Sequence, residues 1–230
     1  MKKRYAFLFD LDSTLVNSGS AGRWAFEQVW EEVFLRPHPF TGIPFTGGTD
    51  IEIIQAAAVR DMGVKLEQEQ IDRFFSRYVE VLPSKVALLP DNSLLPGVMQ
   101  LLQAISSRDD SLLGLCTGNI EAGARAKLAP FGLNRFFEFG GYGSDAVARE
   151  EMTAHAIRRA RERGGDDIRV IVIGDSIRDL EAARANGVKV ALVGTGKTNA
   201  DILKALKPDL FFDSFADWET VLIELIEELQ

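Results

Sequence analysis

Residues 5–14 read Tyr5-Ala6-Phe7-Leu8-Phe9-Asp10-Leu11-Asp12-Ser13-Thr14: five apolar positions in a row, ending at two aspartates spaced two apart. An unbroken apolar run of this length predicts a strand covered on both faces, as in a parallel sheet. The same pattern recurs twice. Leu112 to Cys116 runs into Thr117-Gly118-Asn119, and Val170 to Ile173 runs into Gly174-Asp175-Ser176-Ile177-Arg178-Asp179. Weaker strand signals lie at Phe136 to Phe139, Val188 to Val193 and Leu210 to Phe212. Between these runs, Val98, Leu101, Leu102 and Ile105 keep helical spacing, as do Trp218, Val221, Leu222, Leu225 and Ile226. Strands alternating with helices predict an α/β fold: a Rossmann-like parallel sheet with helices on both faces.

One stretch breaks the alternation. Residues 17–89 carry helical stripes and no convincing strand: Phe26, Val29, Trp30, Val33 and Phe34 form one, and Ile71, Phe74, Phe75, Tyr78 and Leu82 another. A third helix is expected between Asp50 and Met62. Asn17-Ser18-Gly19-Ser20 suits a flexible entry, and Pro83, Pro90 and Pro96 punctuate the exit. The expectation is an inserted α-helical domain over residues 17–89 within a discontinuous core of residues 1–16 and 90–230.

Composition narrows the function. The 230 residues are 46% hydrophobic, with 26 basic against 34 acidic side chains and a net charge of −8. An acidic chain without a basic stripe argues against nucleic acid as the main partner. No apolar run approaches the ~18 residues of a membrane span. The apolar run after Met1-Lys2-Lys3-Arg4 stops at Asp10, short of the roughly 7–15 residues of a secretory core, so a cytoplasmic location is expected. Cys116 is the only cysteine, which precludes an intramolecular disulfide and reads as a buried small hydrophobe. With two histidines beside it, a His/Cys zinc site is nearly excluded.

The chemistry sits at the strand ends. In open α/β sheets ligands bind beyond the carboxyl ends of the strands. Asp10 and Asp12 alone could be a solvated acidic turn, but Asp175 ends a second buried strand and Asp179 follows one helical turn later. Carboxylates converging on one point repel unless a cation compensates, and a hard oxygen-seeking ion such as Mg²⁺ is the economical choice. Thr117-Gly118-Asn119 adds a hydroxyl, a close backbone approach and the start of a helix, which together suit an anion. Gly194-Thr195-Gly196-Lys197-Thr198 is a decoy: a P-loop needs glycine where Ala191 stands. Lys197 is placed at the rim of the site.

These three motifs, in this order, resemble the haloacid-dehalogenase-like hydrolase superfamily, and the helical insert resembles that family's small α-helical cap. The resemblance implies an aspartyl-phosphate mechanism. Asp10 would be the nucleophile and Asp12 the general acid, then base. Thr117, with Gly118 and Asn119, would hold the phosphoryl group. Mg²⁺ would be bound by Asp10, the Asp12 carbonyl and Asp175, with Asp179 supporting the shell. Within the family the chain is most like phosphoglycolate phosphatases, so the expected reaction is hydrolysis of a small phosphorylated metabolite. A sugar phosphomutase of the β-phosphoglucomutase type and a non-catalytic phosphate-binding relative are the alternatives, and oligomeric state is not indicated.

Two departures from the family pattern matter. Ser13 stands where glycine is usual, implying a backbone that tolerates a side chain. No lysine precedes the last motif, and Arg149 is taken as its substitute because it can donate bidentately to phosphate. Lys127 is expected mid-helix, facing solvent. Phe45-Thr46-Gly47-Gly48-Thr49-Asp50 is a glycine-rich bend suited to capping the next helix, and similar bends in the family lie over the active site. Arg23 and Trp24 are candidates to face the cleft.

Overall fold

The computed structural model describes residues 4–90 and 93–230. Six strands form one parallel sheet: β1 (Tyr5–Phe9), β2 (Ser111–Thr117), β3 (Phe139–Tyr142), β4 (Arg169–Gly174), β5 (Lys189–Val193) and β6 (Leu210–Phe212), in the spatial order β3-β2-β1-β4-β5-β6. The reversal of order places β1 between β2 and β4, with Phe9 paired to Leu115 on one side and Ile173 on the other. This register carries all three motifs out at the same edge.

β1 is wholly buried because helices cover both sides. Alternate residues enter different layers, as the pleat requires. Phe7 and Phe9 pack with Leu101 of α4 (Val98–Ser106) and Leu225 of α9 (Trp218–Glu228). Ala6 and Leu8 pack with Met152 of α6 (Arg149–Gly164) and Leu180 of α7 (Ile177–Ala185). Strand β6 is preceded by the short α8 (Ala200–Ala205).

Strand β3 lies three residues beyond the expected Phe136–Phe139 run. Leu133–Phe136 form a 3₁₀ turn instead, and the strand itself reads Phe-Gly-Gly-Tyr. Glycine hides a strand from any hydrophobic pattern, and here close packing requires it. A Cβ on Gly141 would lie 2.3 Å from the Met152 carbonyl oxygen of α6.

Residues 17–89 supply three helices: α1 (Ala21–Phe34), α2 (Asp50–Met62) and α3 (Gln68–Val86). They share an aromatic cluster in which Phe26 meets Phe40, Phe45, Phe74, Phe75 and Tyr78 edge to face. Such pairs add roughly 0.5–1.5 kcal/mol each beyond area burial. Pro83 lies within the last turn of α3 rather than ending it. The same cluster takes in Ile120 and packs against Ala126, both outside residues 17–89. Helix α5 (Glu121–Leu128), which follows β2, thus packs against the α1–α3 layer as well as the sheet.

Candidate active site

At the end of β1, the Asp10 amide donates to the Ile173 carbonyl (2.8 Å), which fixes Asp10 against β4. Asp10, Asp175 and Asp179 are all buried, with carboxylate oxygens within 4.8 Å of one another. Burial pushes Asp10 up to about 7, Arg149 opposing the shift while Asp179 and Asp12 add to it. Burial likewise raises Asp175 to about 8, with repulsion from Asp10 and Asp179 in the same direction. Three clustered carboxylates beside one arginine fit a divalent cation with oxygen ligands, and Mg²⁺ suits this donor set.

The members of this cluster are not equivalent. Asp179 is the third residue of α7 and closes a capping box with Ser176, its Oδ2 accepting from the Ser176 amide (3.1 Å) and hydroxyl (2.6 Å). Its Oδ1 accepts from Arg149 Nη2. With both oxygens engaged, Asp179 braces Arg149 and the start of α7, while Asp10 and Asp175 are the freer donors. Arg149 opens α6 and is buried, its Nη2 3.3 Å from Asp10 Oδ1. The sequence reading takes Arg149 as the substitute for a lysine before the last motif, and the structure sets its guanidinium against Asp10 and Asp179. Its Nε has no hydrogen-bond partner.

Asp12 turns its side chain away from the cluster. Oδ1 accepts from the Ser18 hydroxyl, and Oδ2 accepts from Asn119 Nδ2 (2.8 Å) and Lys127 Nζ (2.6 Å). Burial raises the Asp12 carboxyl, but the Lys127 charge and the hydrogen bonds from Lys127, Ser18 and Asn119 outweigh it and hold it below its usual value. Lys127 is therefore not the solvent-facing residue expected from the sequence. It is 5% exposed, and Nζ also donates to Asn119 Oδ1 (2.6 Å). It is buried because α5 is wedged between the sheet and the α1–α3 layer. Gly123, one turn earlier, was the available signal: a small residue at i−4 marks the face that a neighbouring helix approaches.

Thr117 ends β2 fully buried, its Oγ1 accepting from Asn119 Nδ2 (2.9 Å). Gly118 allows no side chain, since a Cβ would lie 2.1 Å from the Gly48 carbonyl oxygen of the bend between α1 and α2. That bend covers the site. Phe45, Gly47, Gly48 and Asp50 line one wall of a cavity of about 310 Å³, while Asp10, Asp12, Thr117, Gly118, Asn119, Arg149 and Asp175 line the other. Thr49 caps α2 through the Glu52 amide (3.2 Å) and donates to the Val147 carbonyl (2.9 Å). Arg23 and the exposed Lys197 also line the cavity; Trp24, 46% exposed, does not.

Ser13 departs from expectation. Its φ of 64° lies in the left-handed region, where a side chain is strained and glycine is at ease. The turn is held by the Ser13 amide donating to the Val16 carbonyl (2.8 Å) and by the Thr195 hydroxyl donating to the Ser13 carbonyl. Replacing Ser13 with glycine should therefore raise stability by about 0.5–1 kcal/mol in urea unfolding, the relief of strain exceeding the added freedom of the unfolded chain.

With this geometry in view, comparisons with known proteins agree. The family model for haloacid dehalogenase-like hydrolases matches residues 7–193. The chain belongs to that family. It is 29% identical to a phosphoglycolate phosphatase of Caulobacter vibrioides over 219 residues, covering 95% of this chain and 90% of the relative. It is 28% identical to the Agrobacterium fabrum phosphoglycolate phosphatase, covering 94% and 91%. Among solved structures, β-phosphoglucomutase from Clostridium difficile superimposes with a TM-score of 0.71 at 18% identity, covering 97% of this chain and 98% of that one.

Proposed function

We propose that this protein is a Mg²⁺-dependent phosphatase that hydrolyses a small phosphomonoester, phosphoglycolate or a near relative, through an aspartyl-phosphate on Asp10. The observation that carries the reading is the convergence of Asp10, Asp175 and Arg149 beside the Thr117–Asn119 turn, inside a cavity roofed by the 45–50 bend. The names of the most similar relatives support the substrate class. We assign residues 17–89 the role of a cap over a core of residues 1–16 and 90–230. We also place the protein in the cytoplasm; among the described residues no helix is long and apolar enough to cross a membrane.

Each residue has a distinct task. Asp10 attacks phosphorus in line with the leaving oxygen, and the P–O bond to the leaving alcohol breaks. Asp12, a carboxylate while Lys127, Ser18 and Asn119 hold it, takes up a proton as substrate binds and passes it to that oxygen, then takes one from the water that cleaves the acyl phosphate. Arg149, Thr117 and the backbone amides after it hold the phosphoryl oxygens where negative charge accumulates. Asp10, Asp175 and the Asp12 carbonyl would hold Mg²⁺, which would supply the positive charge that screens the anionic nucleophile from the anionic phosphate. The docked bend shields the first transfer from bulk water that would compete with Asp10 for phosphorus, and it must admit one water for the second step.

The test is phosphate release from a panel of phosphomonoesters that includes phosphoglycolate and β-glucose 1-phosphate, with and without Mg²⁺. Metal-dependent release of inorganic phosphate supports a phosphatase. Conversion of β-glucose 1-phosphate to its 6-phosphate without net release would replace it with a mutase.

Metal loading should depend on pH in a stated direction. Asp10 and Asp175 titrate near 7 and 8, so both are largely protonated at pH 6 and must lose those protons to bind a cation. Apparent Mg²⁺ affinity should rise by at least about tenfold between pH 6 and 8.5, with protons released on binding, both measurable by calorimetry in two buffers. A flat affinity across that range would mean that metal binding does not wait on the loss of these protons.

A further inference from the structure

Helix α5 begins without a cap of its own. Its N-cap residue is Ile120, whose side chain accepts no hydrogen bond. The polar residues just before it point elsewhere: Asn119 is engaged with Asp12, Lys127 and Thr117, and Thr117 faces the cavity. An uncapped helix start leaves its first amides without acceptors. The Glu121 amide donates to the Ser144 hydroxyl (3.3 Å), and the acceptor for the Ile120 amide comes from the cap. Asp50 Oδ2 accepts from the Ile120 amide at 2.9 Å, and the Asp50 amide donates to the Gly118 carbonyl at 2.8 Å. A two-point clamp of opposite polarity thus joins the 45–50 bend to the turn that carries Thr117.

The clamp is costly to build. Asp50 is buried, and burial raises it to about 6 even with the Lys127 charge nearby. α2 does not need it, since Thr49 already caps that helix. The surrounding contacts serve the same docking. Arg149 Nη1 donates to the Gly47 carbonyl (3.2 Å), and Arg178 pairs with Glu52 at the surface (2.7 Å). The bend and the first turn of α2 therefore touch three of the elements that carry the candidate chemistry: the 117–120 turn, the start of α6 and the start of α7.

We infer that Asp50 is a positioning residue of the cap, which holds the phosphate-binding turn in its working shape only while the cap is docked. The inference rests on the phosphatase reading of Thr117–Asn119. When the cap lifts, the Ile120 amide loses its acceptor and Gly118 its donor, so the turn relaxes. When it closes on substrate, the turn is completed in the same movement. Cap closure then assembles the site as well as covering it.

The experiment uses the full chain in three variants: Asp50→Ala, Asp50→Asn and Glu52→Arg. Hydrogen exchange at Ile120 and the following amides reads the clamp whether or not the protein is a phosphatase. Calorimetric binding of inorganic phosphate in the presence of Mg²⁺ reads the turn's working shape. Asp50→Ala should speed exchange at Ile120 about tenfold, as expected for loss of a helix cap, and weaken phosphate binding by a similar factor. Asp50→Asn retains an acceptor oxygen and should restore both to within about threefold of wild type.

Glu52→Arg repels Arg178 at the surface and should loosen the turn with Asp50 intact, so the test survives if Asp50→Ala does not fold. The inference is overturned if Asp50→Ala leaves exchange and phosphate affinity unchanged, or if Asp50→Asn is as impaired as Asp50→Ala. It is also overturned if Glu52→Arg frees the 45–50 bend without changing exchange at Ile120. A wild-type protein that binds no phosphate but shows the expected exchange pattern would remove the phosphatase reading and leave the clamp.

Discussion

Asp10→Asn should lower turnover on every phosphomonoester by about 10⁴-fold or more while leaving the fold intact, because an amide cannot attack phosphorus. The substitution keeps size and shape at the end of β1, and the backbone bond to Ile173 is untouched. Its effect on stability should be opposite to its effect on rate. The Asp10 carboxyl is raised from its ordinary value to about 7, so between about pH 4 and 7 the folded protein holds a proton that the unfolded chain has lost. Wild-type stability therefore falls as pH rises through that window, and Asp10→Asn removes this loss. At pH 8, without metal, the variant should be more stable by about 1–3 kcal/mol, the difference shrinking toward pH 4. A variant that turned over at near wild-type rate would rule out Asp10 as the nucleophile.

Lys127→Met should produce the second large effect. The ammonium holds Asp12 and Asn119 together, and its loss leaves a carboxylate and an amide oxygen short of a donor. Because Asp12 is 36% exposed, solvent takes over part of the load, and the stability cost should be about 1–3 kcal/mol. The rate effect should depend on the leaving group. On the proposed reading an alkoxide leaves only with a proton from Asp12, and without Lys127 that carboxyl loses its anchor, so activity on alkyl phosphates should fall by about 10²-fold or more. A nitrophenolate departs without one, so p-nitrophenyl phosphate should lose much less. Equal losses on the two substrates would mean that Lys127 maintains the fold and does not orient Asp12.

The sequence made the site's chemistry legible because each motif follows an apolar run, and strand ends converge wherever such runs pair side by side. Asp10, Thr117 and Asp175 could be placed by that argument before any coordinates. Arg149 was found by asking which basic residue precedes the third motif. What stayed hidden depends on contacts across the chain. Lys127 looks exposed because helix α5, Glu-Ala-Gly-Ala-Arg-Ala-Lys-Leu, is rich in small residues and shows little contrast between its faces. Asp50 looks like a local cap because its partner, Ile120, is 70 residues away. Strand β3 was displaced because two of its four residues are glycine. The left-handed turn at Ser13 was missed for a different reason: the residue type argued for an ordinary backbone, and the turn's own hydrogen bonds impose a strained one.

The double allegiance of α5 bears on how this architecture can be re-engineered. Exchanging residues 17–89 for the corresponding segment of a relative is a natural route to a new substrate range, and the linkers at both ends invite the cut there. Such a graft would leave behind Ile120 and Ala126, which contact the insert's apolar cluster. It would also leave Lys127, which lies 3.4 Å from where a Cβ on Gly22 would sit. The transferable module is therefore discontinuous in sequence. A chimaera that carries the matching face of α5 along with the insert should fold and turn over, whereas one cut at the linkers alone should close badly on its substrate.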